Sequence, residues 1–303
     1  MGEGPPILTV RLSKTYGKTV HALVGLDLRV EPGEVFGYLG PNGAGKSTTI
    51  RLLLGLIRPS GGTATLFGLD SWRQAVEAHR RVGYLPGDLR LSDRLTGEEQ
   101  LESLARLRGG VDERLRAALC VRLGVVLDRP IRQLSKGNRQ KLGIVQAFMH
   151  RPALVVLDEP TSGLDPLLQS EVRALIRETA SDGRSVFLSS HSLDEVQHVA
   201  DRVGIIRSGS LADVDSVESL RERSLRPVTI TFADAADPEP FAAVAGVRVV
   251  GVDGAILRLA APEPAMDALV KAAAARTVVD FVSQPADLEE IFLELYREPD
   301  GGD

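Results

Sequence analysis

The stretch Gly40-Pro41-Asn42-Gly43-Ala44-Gly45-Lys46-Ser47-Thr48 constrains this chain more than any other. It fits G-x-x-x-x-G-K-[ST]. An apolar run, Val35 to Leu39, precedes it and reads as a strand; Thr49 to Leu56 follows and reads as a helix. Glycines let the backbone curl so that several N–H groups face one anion, and the helix start adds its positive dipole end. In such a loop Lys46 reaches β- and γ-phosphates, and the Ser47 hydroxyl takes one Mg²⁺ position. The pattern predicts a nucleoside triphosphate site on an α/β core.

The length of 303 residues suits one large or two ordinary domains. A net charge of −5, with both signs interspersed, excludes a strong electrostatic case for nucleic acid or anionic lipid. The lone Cys120 excludes an intrachain disulfide. It lies among Leu115, Leu119 and Leu123 of a helical pattern and reads as a buried structural thiol. The start, Met-Gly-Glu-Gly-Pro-Pro, has neither a basic nor an apolar leader region. Aliphatic runs fall far short of the ~20 residues a bilayer needs. These features point to a cytoplasmic chain that does not cross a membrane.

Ile7 to Leu12 alternates, as does Val24, Leu26, Leu28, Val30 before Glu31-Pro32-Gly33; together they predict an antiparallel β layer ahead of the loop strand. Thr63 to Phe67 and Val82 to Leu85 read as strands, the second broken by Pro86-Gly87-Asp88. Leu101, Leu104, Leu107 and then Leu115, Leu119, Leu123 carry helical spacing on either side of Gly109-Gly110, giving a helical insert at about 88–135. A helix from Arg139 to His150 leads to Ala153–Leu157, a continuous apolar run of a strand buried on both faces. Asp158-Glu159 stands at its end. A helix from Pro166 to Ala180 and a strand from Ser185 to Ser189 precede His191. Val203 to Arg207 is a strand followed by a Ser208-Gly209 hairpin turn.

Arg221-Glu222-Arg223 and Pro227 read as a linker, placing a nucleotide-binding domain at 1–222 and an accessory domain at 223–303. The accessory pattern is strand 228–232, helix 239–245, strands 247–252 and 255–260, helix 264–275 and strand 277–283, with Asp253-Gly254 as a hairpin signal. That βαββαβ order is ferredoxin-like. Leu288 to Tyr296 closes the chain as an amphipathic helix. The fold class expected is α/β: a mixed sheet core, an antiparallel β layer and a helical insert, with a smaller α+β ferredoxin-like C-terminal domain.

Asp158 ends its strand as a Mg²⁺-holding carboxylate does, acting through water, and Glu159 beside it suits polarisation of an attacking water. From about Ile7 to Arg223 the chain resembles the ATP-binding subunits of ABC transporters. The resemblance rests on an ordered series. Tyr16 is similar to the A-loop aromatic that stacks on adenine. Gly40 to Thr48 is similar to Walker A, and Leu154 to Glu159 to Walker B. Leu134-Ser135-Lys136-Gly137-Asn138 resembles the signature Leu-Ser-Gly-Gly-Gln. Ser162-Gly163-Leu164-Asp165 resembles the D-loop, and His191 the switch histidine. No Asn-Lys-x-Asp motif of a GTPase is present.

The resemblance implies ATP and Mg²⁺ as ligands. Lys46, Glu159 and His191 would then be catalytic, and Ser47 and Asp158 would hold the metal. Ser135, Lys136, Gly137 and Asn138 would act on ATP held by a partner subunit in a head-to-tail homodimer or pair with a homologue, with Asp165 at that interface. His21, His79, His150 and His198 read as structural, and Trp72 and Tyr84 as packing residues.

Three residues depart from the family pattern. Gly87 occupies the place of the Q-loop Gln, a metal and coupling residue; Asp88 or a water would have to replace it. Lys136 replaces a Gly and Asn138 a Gln in the signature.

Pro86-Gly87-Asp88-Leu89, Leu95-Thr96-Gly97-Glu98 and the closing Leu288-Glu289-Glu290-Ile291-Phe292-Leu293 resemble the ABC-2 type drug- and antibiotic-export ATPases, of the daunorubicin-resistance kind. That implies a peripheral subunit on the cytoplasmic face of the cell membrane, driving a separate permease that exports an amphiphilic compound. Two other readings stay open. One is an importer ATPase with a regulatory C-terminal domain. The other is a soluble ABC ATPase acting on nucleic acid or the ribosome, against which the acidic balance argues.

Overall fold

The computed structural model describes residues 4–223 and 225–284. The chain divides into two compact units, Met1–Asp215 and Ser216–Asp303.

The first unit is built on two sheets. β1 (Ile7–Tyr16) and β2 (Val20–Val30) form an antiparallel hairpin with Ile7, Leu12, Leu26 and Val30 turned inward and fully buried. β3 (Val35–Leu39) is buried at every position. It runs into the glycine-rich loop and α1 (Lys46–Leu53). β4 (Gly61–Leu66) pairs antiparallel with β1, and β5 (Leu69–Asp70) with β4, giving the order β2-β1-β4-β5. The predicted antiparallel layer is this sheet. Each fully buried aliphatic residue here contributes about 1.5–3 kcal/mol.

α2 (Ala75–His79) leads to β6 (Val82–Leu85). The helical insert follows as α3 (Gly97–Leu107) and α4 (Glu113–Leu123). Local chemistry sets their ends. Thr96 and Glu99 form a reciprocal capping box at the start of α3. Asp112 caps α4, and Gly124 ends it at φ 58°. Cys120 is buried, as its apolar neighbours require.

The second sheet carries the site. α5 (Lys136–Phe148) leads to β7 (Leu154–Asp158). α6 (Pro166–Ser181) leads to β8 (Ser185–Ser190), and α7 (Leu193–Gln197) to β9 (Arg202–Arg207) and β10 (Ser210–Ser216). The order is β10-β9-β3-β8-β7-β6, with β9, β3, β8, β7 and β6 mutually parallel. Phe36, Tyr38 and Phe187 fill the middle of this layer. Ser208 and Gly209 turn between β9 and β10 at φ 48° and 79°, the paired positive values of a tight hairpin. Arg122 of α4 clamps α6 by bonding both Glu171 and Glu178.

The second unit starts with α8 (Val217–Arg223), where the sequence reading expects a linker. The Ser216 hydroxyl accepts the Ser219 N–H, so a side-chain cap outweighs the charge cluster at 221–223. β11 (Arg226–Phe232), α9 (Glu239–Ala242), β12 (Arg248–Asp253), β13 (Ile256–Ala261), α10 (Met266–Ala274) and β14 (Val278–Ser283) follow. The sheet order β12-β13-β11-β14, all antiparallel, is the ferredoxin-like arrangement expected. Val228, Ile230, Phe232, Leu257 and Leu259 form its core with Phe241 and Leu269 of the helices. The expected helix at 288–296 lies outside the described residues. Among those described, no helix is long and apolar enough to cross a membrane.

Candidate functional site

The parallel strands end together, and the loops leaving β3, β7 and β8 converge there. Gly45 precedes α1 at φ 114°; a Cβ on it would stand 2.6 Å from the Ala22 carbonyl oxygen, so only glycine fits. Lys46 follows, 6% exposed, its ammonium donating to the carbonyls of Gly40 (2.5 Å) and Pro41 (3.1 Å). Burial lowers its pKa against the opposing pull of Glu159 and Asp158. A shallow cavity lined by Ala22, Asn42, Gly43, Lys46, Ser47 and Glu159 opens above the loop.

Two carboxylates face this loop. Asp158 is 5% exposed; its Oδ2 accepts the Ser47 hydroxyl at 3.0 Å and its Oδ1 the Ser189 hydroxyl at 2.5 Å. Glu159 adopts φ 51°, the left-handed region that costs a non-glycine residue about 1 kcal/mol or more. Its N–H donates to the Ser189 carbonyl at 3.1 Å, and its Oε1 lies 3.2 Å from Nδ1 of His191 and 3.9 Å from Nζ of Lys46. The structure thus brings Lys46, Ser47, Asp158, Glu159 and His191 into one cluster. The donors beside Asp158 are all hard oxygens, the set that suits Mg²⁺.

The remaining predicted residues stand elsewhere. Ser135 caps α5, its hydroxyl accepting from the Asn138 backbone and side-chain amides. The Lys136 stem lies over Gly163, and Gly137 approaches the Gly163 carbonyl, so signature and D-loop share one patch. Among the described residues no hydrogen bond joins that patch to Lys46 or Ser47. Asp165 caps α6 through the Leu168 N–H at 3.0 Å. Tyr16 is 38% exposed, with the Lys14 ammonium 5.1 Å from its ring centre. It does not line the loop cavity; Ala22, on the neighbouring strand, does.

A Cβ built on Gly87 would sit 3.1 Å from Asp158 Oδ2, so glycine leaves the carboxylate room here but offers it no ligand. Asp88 does not replace the missing Gln: its carboxylate is 74% exposed and paired with Arg90 at 2.9 Å. Trp72, expected to pack, is 45% exposed. Asp70 Oδ1 accepts the N–H groups of both Trp72 and Arg73, and that turn carries the indole outward. The four histidines read as structural do bond locally: His21 to Thr15, His79 to the Leu54 carbonyl, His150 to the Val82 carbonyl and His198 to the Asp194 carbonyl.

Two supports escape the sequence reading. The Gln140 amide, on a buried face of α5, donates to the carbonyls of Pro160 (3.0 Å) and Glu159 (3.4 Å) and so holds the turn after Walker B. Gly209 splints the glycine-rich loop from outside: its N–H donates to the Ala44 carbonyl at 2.9 Å, and its carbonyl accepts the Val24 N–H at 2.8 Å. A separate groove, lined by Leu54, Leu56, Tyr84, Pro86, Leu89 and Leu104, carries Arg108 at its wall. Burial lowers the Arg108 pKa, and among the described residues no carboxylate pairs with it.

A family model described as ABC transporter matches residues 23–162. The bacitracin transport ATP-binding protein of Bacillus licheniformis is 36% identical over 234 residues, covering 75% of each chain. The daunorubicin/doxorubicin resistance ATP-binding protein of Streptomyces peucetius is 41% identical over 208 residues, 67% of this chain and 63% of the relative. The mouse ATP-binding cassette sub-family A member 7 is 36% identical across 98% of this chain, which spans only 15% of that relative's length. A solved ATP-binding subunit of an ABC transporter superposes with a TM-score of 0.66 at 29% identity, covering 71% of this chain and 91% of its own. The clustered Walker residues and these likenesses lead to one conclusion: the chain belongs to the ATP-binding cassette ATPases of the ABC transporter family.

Proposed function

We propose that this chain is the ATP-hydrolysing motor of an ABC exporter, working as a head-to-tail dimer beneath a separate permease and moving a drug, antibiotic or other amphiphilic compound. The observation that carries the reading is the Glu159–His191–Lys46 cluster set beside Asp158 and Ser47.

The chemistry follows from the positions. The N–H groups of the Gly40–Thr48 loop and the start of α1 cradle the phosphates of ATP. Lys46 leaves the Gly40 and Pro41 carbonyls for the β- and γ-phosphates. Glu159 accepts a proton from the attacking water; its cramped backbone and its contact with His191 aim the carboxylate. His191 Nδ1 stays within 3.2 Å of the Glu159 carboxylate, and the ring would also contact the γ-phosphate. Ser47 directly and Asp158 through water would hold Mg²⁺, which neutralises charge on the phosphate oxygens. Ser135 and the Gly137 amide, at the start of α5, complete the site of the facing subunit, and Asp165 lies at that junction.

The groove whose lining mixes Leu54, Leu89 and Leu104 with Arg90, Arg108 and Gln146 would receive a helix of the permease. The two bacterial relatives, named for bacitracin transport and daunorubicin/doxorubicin resistance, favour export.

The test is capture of the Glu159→Gln protein with ATP from detergent-solubilised membranes. The expected result is stoichiometric recovery of a polytopic membrane protein. Recovery of ribosomal or DNA-repair partners, or of a soluble self-dimer alone, would overturn the transport reading.

A further inference from the structure

One carboxylate outside the motif residues joins the two turns that carry Glu159 and His191. Glu195, on α7, is half-buried. Its Oε1 accepts the Thr161 hydroxyl and its Oε2 the Ser190 hydroxyl at 2.6 Å. Thr161 lies two residues beyond Glu159, and Ser190 directly precedes His191. Ser190 is itself a junction. Its hydroxyl accepts the Ser192 N–H at 2.9 Å, and its carbonyl accepts the Gly40 N–H at 3.3 Å. Among the described residues no cation pairs with Glu195, so both of its oxygens serve hydroxyl donors.

The short helix that presents this carboxylate is fixed by other contacts. Leu193 and Val196 are buried, and Val196 packs so closely on Gly37 that a Cβ there would stand 2.2 Å from its Cγ1. α7 therefore keeps its place when residue 195 changes.

We propose that Glu195 is a positioning residue for hydrolysis: by bridging Thr161 and Ser190 it sets the 3.2 Å contact between Glu159 and His191. The inference rests on the roles given above to those two residues. Charge-assisted hydrogen bonds from hydroxyls to a carboxylate are short and stiff. A turn released by loss of its bond to Glu195 moves Glu159 by a fraction of an ångström. An error of 1 Å in such a group costs up to ~10²-fold in rate.

The test is steady-state ATPase kinetics and nucleotide binding by the full chain. Glu195→Ala is expected to lower kcat about tenfold or more, with ATP affinity unchanged within about twofold. Glu195→Gln is expected to restore most of the rate, because its amide accepts one hydroxyl proton and donates to the other hydroxyl oxygen. Thr161→Val, which removes one donor and keeps the side-chain shape, is expected to reproduce part of the loss. On a Glu159→Gln background Glu195→Ala adds nothing further.

A wild-type kcat for Glu195→Ala beside an inactive Glu159→Gln overturns this inference alone. So does a parallel fall in kcat, ATP affinity and melting temperature that Gln does not rescue. Wild-type turnover by Glu159→Gln overturns the reading of the site and this inference with it.

Discussion

Glu159 Oε1 lies 3.2 Å from His191 Nδ1, and the Glu159 backbone that presents it adopts φ 51°. Carboxylate and imidazole sit on different strand ends, so the contact is tertiary. Glu159→Gln keeps the size of the side chain and a hydrogen-bond acceptor but removes the base. Hydrolysis is expected to fall by at least about 10²-fold while ATP binding stays within a few-fold. Single-turnover assays beside a fluorescent-nucleotide titration separate the two. Unchanged turnover would remove Glu159 from its role.

Gly87 stands beside Asp158 with no side chain directed at it. A Cβ at residue 87 would meet Oδ2 at 3.1 Å, and Asp158 cannot retreat because Ser47 and Ser189 both hold it. Gly87→Ala is therefore expected to raise the Mg²⁺ concentration for half-maximal ATPase activity several-fold. An Mg²⁺ titration at fixed ATP checks it; an unshifted midpoint would mean that Asp158 adjusts freely.

His150 is held neutral. Burial first, and the nearby Arg108 second, push its pKa down to about 4, while its bond to the Val82 carbonyl pulls the other way. Above the ordinary histidine value of about 6.5 neither the folded nor the unfolded chain binds this proton, and the residue leaves stability untouched. Between about 6.5 and 4 the unfolded chain takes it up first, so stability falls as pH falls through that window. After allowance for solvent screening the loss is on the order of 2 kcal/mol. Urea unfolding across this range is expected to show a steeper acid limb for the native chain than for His150→Asn.

Arg122 bonds Glu178 with two nitrogens and Glu171 with a third. The fork is planar and three-pronged, which a lysine cannot copy. Arg122→Lys and Arg122→Ala are both expected to cost about 1 kcal/mol, measured by denaturant midpoint, with a smaller cost at high salt. Equal stability of Arg122→Lys and the native chain would show that point charge alone suffices.

Much of the site was legible because its residues lie in local patterns. The glycine spacing at 40–45 encodes the loop, and the apolar run 153–157 places Asp158 at the end of a buried strand. The C-terminal unit was legible through alternation and the Asp253-Gly254 turn, where Gly254 takes φ 56°. The helix at 217–223 is not legible there, because the charge cluster at 221–223 reads as a linker while the cap comes from Ser216. Gln140 and Gly209 were missed for another reason. Each acts on backbone carbonyls supplied by distant chain segments, and neither a helical glutamine nor a turn glycine names its acceptor. Trp72 shows the same limit: an Asx turn two residues long decided its exposure.

The splint at Gly209 also bears on binding thermodynamics. A phosphate-binding loop that must first be ordered by its ligand loses affinity to chain entropy, about 1–2 kcal/mol for every residue fixed. Here the curl is fastened to the outer hairpin and to β2 by the chain's own amides. Nucleotide association at this loop thus carries little folding cost. Its temperature dependence is expected to reflect dehydration of phosphate and Lys46, with a heat-capacity change, read by calorimetry, too small for coupled folding.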